Sequence, residues 1–346
     1  MNPTIAANSE ASTSRREREA QTSSAMALLE VATGYWLPRC LHVVADLGVA
    51  DALDDKPRSA AELARAVKAD PDSLDRVLRL LASHGIFERR DGNYAHNELS
   101  RALRTDHPHS VRAYVRLVGL PVFWNSYGLL EQVIRTGEPA VNTLEPGGIF
   151  AYFKDHAEEC EVFDAGMKAK AETAIWPVLD ACDFSPFGTI ADVGGGLGHL
   201  LKAILKAAPK TRGVLFDQAH VVERVAPADR LDIQGGDFFR GPLPRCDAYI
   251  LMEVIHDWND EQSKTILQQI RKAAPAKAKL LIVETVLPDE TIRHFGYHLD
   301  IQMMVVTGGR ERTVDEFSQL FQTSGFQLTQ VIPTQGPYSI VEGIAV

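Results

Sequence analysis

The stretch Thr189-Ile190-Ala191-Asp192-Val193-Gly194-Gly195-Gly196-Leu197-Gly198-His199-Leu200-Leu201 passes from a short apolar run through a glycine turn into a helical pattern. A second apolar run, Gly213-Val214-Leu215-Phe216, then ends on the carboxylate of Asp217. Strand, glycine turn, helix, strand and acid is the order in which an α/β sheet holds a nucleoside. Glycines let the backbone approach the ligand without a Cβ, and the acid accepts from the ribose hydroxyls. A dinucleotide cradle needs G-x-G-x-x-G. Counting from Gly194 the third glycine position falls on His199, and counting from Gly196 it falls on Leu201. The spacing therefore opposes a pyrophosphate and leaves a nucleoside with a short amino-acid arm.

Moving outward, the pattern from about Pro186 alternates strands and helices. Further strands are expected at Leu231-Asp232-Ile233, Ala248–Met252 and Lys279–Val283. A helix between the last two is capped by Asn259 with Gln262 at its third position, and carries Ile266, Leu267 and Ile270 inward. Such alternation builds a parallel sheet covered on both faces. The runs Phe326–Ile332 and Tyr338–Val346, joined by Pro333-Thr334-Gln335-Gly336-Pro337, read as a closing antiparallel hairpin. Asp237 and Phe238, in Gly235-Gly236-Asp237-Phe238-Phe239, follow the third strand. They put a carboxylate and a ring at the same carboxyl edge, where an adenine would lie.

From about Ala25 to Leu179 the chain reads as helical. Ser59 and Glu62 form a capping box for a helix over Ala61–Val67. Pro71 opens another helix, whose residues Leu74, Val77, Leu78 and Leu81 repeat at 3.6, and Gly85 ends it. Phe87–Arg90, the turn Asp91-Gly92-Asn93 and Tyr94-Ala95 then read as a hairpin. Helix, helix, hairpin is the outline of a winged helix, which raises DNA binding. Between Ser59 and Arg104, however, eight Lys and Arg face seven acids. A phosphate-binding surface needs clustered basic charge, so packing or dimerisation is the expected role.

The 346 residues suit two domains, and 45% hydrophobic with 24% charged residues suits a globular protein with a substantial core. A net charge of −10 opposes a nucleic-acid partner. No apolar run approaches the roughly 18 residues that span a bilayer. Residues 1–22 are polar, without a signal core, and are expected to be a disordered tail. Cys40, Cys160, Cys182 and Cys246 show neither metal-ligand spacing nor a disulfide framework, so reduced thiols, no metal and a cytoplasmic location are expected.

Ala191-Asp192-Val193-Gly194-Gly195-Gly196, Phe216-Asp217, Gly236-Asp237-Phe238, His256-Asp257-Trp258 and Gly308-Gly309-Arg310-Glu311-Arg312-Thr313 together resemble the S-adenosylmethionine-dependent O-methyltransferases. The similarity is to the plant caffeic acid enzymes and their bacterial antibiotic-pathway relatives, and it spans nearly all the chain after the tail. It implies a Rossmann-like class I methyltransferase sheet over residues 184–346, preceded by a mainly helical winged-helix dimerisation domain over 23–110. A helical linker and substrate-lining region over 111–183 joins them, and the protein would be a homodimer. It further implies Gly194 near the methionine moiety of S-adenosylmethionine, Asp217 on the ribose, and Asp237 with Phe238 at the adenine. Relatives often carry a basic residue where this chain has Met252, which leaves only a backbone or packing role there. Phe163 and Met167, four apart on one helix face, resemble residues lining the acceptor and methyl region.

Methyl transfer is an in-line displacement, and a phenol attacks far better as phenolate. Histidine is suited to take that proton. His256 directly follows the fourth strand and so projects over the carboxyl edge. Glu284 ends the next strand, and Glu311 follows the turn Gly308-Gly309. The resemblance assigns a His flanked by two acids to these positions. A carboxylate accepting from one ring nitrogen leaves the other free to act as base. Asp257 either hydrogen-bonds the acceptor or caps the turn before Trp258. The expected activity is O-methylation of a phenolic or aromatic hydroxyl of a specialised metabolite. N-methylation, another reaction of the same cofactor, a nicotinamide enzyme and a winged-helix regulator are the alternatives.

Overall fold

The computed structural model describes residues 23–346, so the expected tail at 1–22 lies outside the described residues. Two compact units divide after Gly119. Helix Arg112–Val118 is tied into the first unit. Arg112 donates to the Ala45 carbonyl at 2.7 Å, and Arg116 pairs with Asp46 at 2.9 Å.

In the first unit, residues 23–33 and Trp36–Asp46 are helical. The Ser59–Glu62 capping box starts helix Ala60–Val67, and Asp70 caps helix Pro71–Ser83 with Pro71 at its first position. Leu74, Leu78 and Leu81 are buried on the inner face of that second helix. Gly85, at φ +74°, makes the exit turn that only glycine takes without strain. A small antiparallel sheet of β1 (Arg58–Ser59), β2 (Glu88–Arg90) and β3 (Asn93–Ala95) follows in the order β1-β3-β2. Helix, helix and hairpin stand where the sequence put them.

The second unit is built on a seven-stranded sheet. Its strands are β4 (Thr189–Val193), β5 (Arg212–Asp217), β6 (Leu231–Gly235), β7 (Ala248–Met252) and β8 (Lys279–Glu284), with β11 (Phe326–Pro333) and β12 (Ser339–Ala345). Between them a two-stranded parallel bridge pairs β9 (Val286–Leu287) with β10 (Arg312–Thr313). The large sheet runs β11-β12-β8-β7-β4-β5-β6, parallel except for the hairpin β11–β12 at one edge. The order reverses between β4 and β7, and such a switch point opens a crevice at the carboxyl ends of the strands.

Alternation along the strands fills two cores. Ala191, Tyr249, Leu251, Leu280 and Ile282 face one layer, with Ile266, Leu267 and Ile270 of helix Asp260–Ala273. Ile190, Ala248, Ile250, Leu281 and Val283 face the other, with Leu201 and Ile204 of helix His199–Ala207. Both faces being dry, the central strands read as continuous apolar runs.

Candidate active site at the carboxyl edge

The glycine turn between β4 and helix His199–Ala207 has Gly194, Gly196 and Gly198 at φ +73°, +57° and +73°. A Cβ on Gly194 would lie 2.8 Å from Val254 and 3.7 Å from the Phe238 ring, whereas one on Gly196 would meet nothing within 4 Å. The turn is thus tight beneath and open above. Both oxygens of Asp217 are engaged by main chain, accepting from Gly196 N at 2.8 Å and from Gln218 N at 2.7 Å. That pins the carboxylate while leaving further lone pairs on each oxygen. Burial outweighs those amides and raises its pKa. Asp192, buried beneath the turn and facing Asp217, is pushed by burial and that second charge up to about 7.

Phe238 meets Phe239 and Trp258 edge-on, at 5.0 and 5.9 Å between ring centres. Asp237 is exposed, and its Oδ1 accepts from Phe239 N at 2.8 Å. Met252 is half-buried, paired in register with Val283, and packs against the core by its side chain. Glycines at 194 and 196, a carboxylate fixed by amides and a ring beside the turn fit a nucleoside carrying an amino-acid arm.

Across the switch point, β7 passes through Glu253 and Val254 into the 3₁₀ turn Ile255–Asp257. His256 in that turn is 4% exposed. Its Nδ1 donates to Glu311 Oε1 at 2.7 Å, and its backbone N–H donates to Glu284 Oε1 at 3.0 Å. The three come together for separate reasons. Glu284 ends β8, the neighbour of β7. The bridge register Arg312–Val286 lays Glu311 beside the chain just beyond Glu284. Asp300, on helix Phe295–Val306, accepts from Glu311 N at 2.9 Å. The turn Gly308-Gly309 presses directly on the histidine backbone: a Cβ on Gly309 would fall 1.9 Å from the His256 carbonyl oxygen.

Burial alone would lower the pKa of His256. The Glu311 hydrogen bond and the charges of Asp257, Glu311 and Glu284 outweigh it and raise the ring to about 10. Glu284 is pushed by burial up to about 7 and Asp257 up to about 6, against the opposing charge of His256. Among the described residues no hydrogen-bond partner is found for Glu284 Oε2 or Glu311 Oε2. Each acid therefore meets His256 with one oxygen, Glu311 at the imidazole and Glu284 at the backbone N–H, at the desolvation cost of the other.

Phe163 and Met167 are half-buried on helix Ala157–Ala181, the Phe163 ring lying 4.4 Å from that of Phe153. One turn on, Lys170 forms an ion pair with Glu253, and Tyr338 donates to the same Glu253 oxygen at 3.0 Å. This cluster was not expected from sequence. Nor was the role of Arg312, which is wholly buried and donates to the carbonyls of Ile255 at 3.3 Å and Trp258 at 3.0 Å. It also pairs with Asp260 at 2.8 Å, and so brackets the His256 turn. The capping motif around Asn259 signalled the helix start, but nothing local signals which arginine reaches it. His294, also without an expected role, caps helix Phe295–Val306 through Gly296 N.

Residues 127–327 match the O-methyltransferase domain model, and residues 29–106 match the O-methyltransferase dimerisation domain. The chain belongs to the O-methyltransferase family. It is an enzyme that uses S-adenosylmethionine. Among its relatives is a phenazine O-methyltransferase of Lysobacter antibioticus, 42% identical over 323 residues, which cover 91% of this chain and 94% of that one. The solved mitomycin 7-O-methyltransferase superposes with a TM-score of 0.88 at 32% identity, over 95% of this chain and all of the other. An O-methyltransferase of neocarzinostatin biosynthesis was solved with S-adenosylmethionine and 2-hydroxy-5-methyl naphthoic acid. It superposes with a TM-score of 0.76 at 30% identity, over 89% and 96% of the chains. The four cysteines of this methyltransferase are free. Among the described residues no cluster suits a metal ion, and no helix is long and apolar enough to cross a membrane.

Proposed function

We propose that the enzyme methylates a phenolic or other aromatic hydroxyl of a specialised metabolite, with His256 as general base. The observation that carries this reading is the 2.7 Å contact from His256 Nδ1 to Glu311, which leaves Nε2 as the nitrogen that exchanges a proton with the acceptor. When bound, S-adenosylmethionine supplies a methyl group activated by its sulfonium. Gly194 would pass beneath its methionine arm, Asp217 would accept from the ribose hydroxyls, and Asp237, Phe238 and Met252 would border the adenine. Glu311 holds the imidazole ring, and Glu284 holds the turn that carries it. A phenol has a pKa of about 10, close to that of the ring, so proton transfer between them is nearly balanced. Phe163 and Met167 would border the acceptor, and Asp257 would contact its hydroxyl. The naphthoic acid in the neocarzinostatin relative supports a flat aromatic acceptor.

The working unit is a homodimer formed through the first unit, supported by the matched dimerisation domain and by exposed Leu28, Leu29, Val31 and Trp36. Farther along the first unit Val43 is exposed, but Val44 is buried and Leu41 packs on the core of its own unit, so that stretch offers a partner only part of its apolar surface. A small-molecule acceptor and free thiols suit a cytoplasmic enzyme.

The test offers phenols, flavonoids, phenazines and polyketide quinones with labelled S-adenosylmethionine and locates the added methyl by product mass spectrometry. His256→Ala should lower turnover by roughly 10² or more and leave cofactor affinity unchanged. Undiminished turnover would overturn the assignment of the base, and methyl on nitrogen would overturn that of the acceptor atom.

A further inference from the structure

Glu253 stands at the hinge between β7 and the His256 turn with φ +54°, a left-handed conformation uncommon for a side-chain-bearing residue. Its carboxylate is almost wholly enclosed, with 5% of the side chain exposed, and it is met from two remote elements. Lys170 reaches it from helix Ala157–Ala181, and the Tyr338 hydroxyl reaches it at 3.0 Å from the residue that leads into β12. Lys170 also lies 6.0 Å over the Tyr338 ring. A buried carboxylate is tolerated only when paired, so the pair fixes the helix that carries Phe163 and Met167 to the loop that carries His256. Strained backbone held by surrounding contacts is a feature of functional sites.

We propose that Lys170, Glu253 and Tyr338 are positioning residues for methyl transfer: they set the acceptor-lining helix against the catalytic turn and balance the charge beside His256. The inference rests on His256 being the base. The charges around that ring are Glu311 before β10, Glu284 ending β8, and Asp257 and Glu253 on its own loop, with Lys170 opposite and Arg312 beyond Glu284. Four carboxylates thus couple to one imidazole, and Lys170 pairs with one of them, Glu253. Removing Lys170 leaves Glu253 as an uncompensated negative charge, which favours the imidazolium. Removing the Glu253 charge takes one negative neighbour from the imidazolium, which disfavours it.

The experiment compares wild type, Lys170→Met, Glu253→Gln and the double variant, recording acceptor KM, kcat, cofactor affinity by calorimetry and the pH profile of kcat/KM. In Lys170→Met the pH midpoint should move up and acceptor KM should rise severalfold, with cofactor affinity within twofold of wild type. In the near-isosteric Glu253→Gln the midpoint should move down. In the double variant it should return to the wild-type value while acceptor KM stays raised. An unmoved midpoint in Glu253→Gln, or a double variant displaced as far as either single one, would overturn the proposal. So would a wild-type acceptor KM in Lys170→Met. Should His256→Ala keep full turnover, the base reading fails by itself, and the acceptor KM of Lys170→Met still decides the helix tie.

Discussion

His256 illustrates how environment assigns a role to one side chain. Desolvation favours the neutral ring, and two glutamates and an aspartate favour the cation; the acids prevail. The free ring therefore carries a proton at neutral pH and gives it up only as the medium approaches pH 10. The kcat/KM for a phenolic acceptor should accordingly climb with pH from 7 toward about 10, and steady-state rates across that range check it. Asp217 makes a second case. Because both its oxygens accept from backbone N–H groups, Asp217→Asn would turn an amide N–H toward another donor. That substitution should weaken cofactor binding about tenfold or more, the equivalent of about 1.4 kcal/mol; an unchanged dissociation constant by calorimetry would remove Asp217 from the ribose. The apolar run before His256 and the acid at each strand end were legible in sequence. Glu253 was not, because its partners lie 83 and 85 residues away and no local spacing announces them.

Among elements, the glycine turn, the capping boxes and the closing hairpin were legible because each is a local pattern with a local cause. The bridge β9–β10 is not legible in the sequence, since two paired residues leave no periodicity. Yet that bridge carries Glu311 to His256. The turn before it is the most constrained backbone approach in the site. Gly309→Ala would drive a methyl into the His256 carbonyl and the adjoining peptide. It should abolish turnover and lower the thermal midpoint, whereas Gly128→Ala, at a glycine with no atom within 4 Å, should do neither. Arg312 acts at the same scale. Its guanidinium is dry and donates to two carbonyls of the His256 turn, which keep Ser263 Oγ but lose their charged donor in Arg312→Ala; that variant should destabilise the second unit by about 2 kcal/mol or more in urea titrations.

For the whole molecule, the raised pKa of His256 links folding to pH. A histidine that binds its proton more tightly when folded contributes stability that is complete below the unfolded value near 6.5. That contribution is lost as pH rises through about 10. The thermal midpoint of the wild type should fall between pH 7 and 10, and His256→Gln should flatten that fall. At the same scale, sedimentation should find a dimer at micromolar concentration; a monomer unchanged across concentration would reject the assembly. Helix Arg112–Val118 goes with the first unit because two arginines, spaced four apart, fasten it there.

The proposed base is fixed by strand ends and by a glycine turn, whereas the residues expected to border the acceptor project from one helix. The two sets can therefore be varied separately. A library at positions 163 and 167 would search new acceptors while the proton-handling machinery stays intact, and one that strays into 308–312 would return mostly inactive protein. The fold thus offers a natural partition for directed evolution: a conserved reaction and an interchangeable substrate wall.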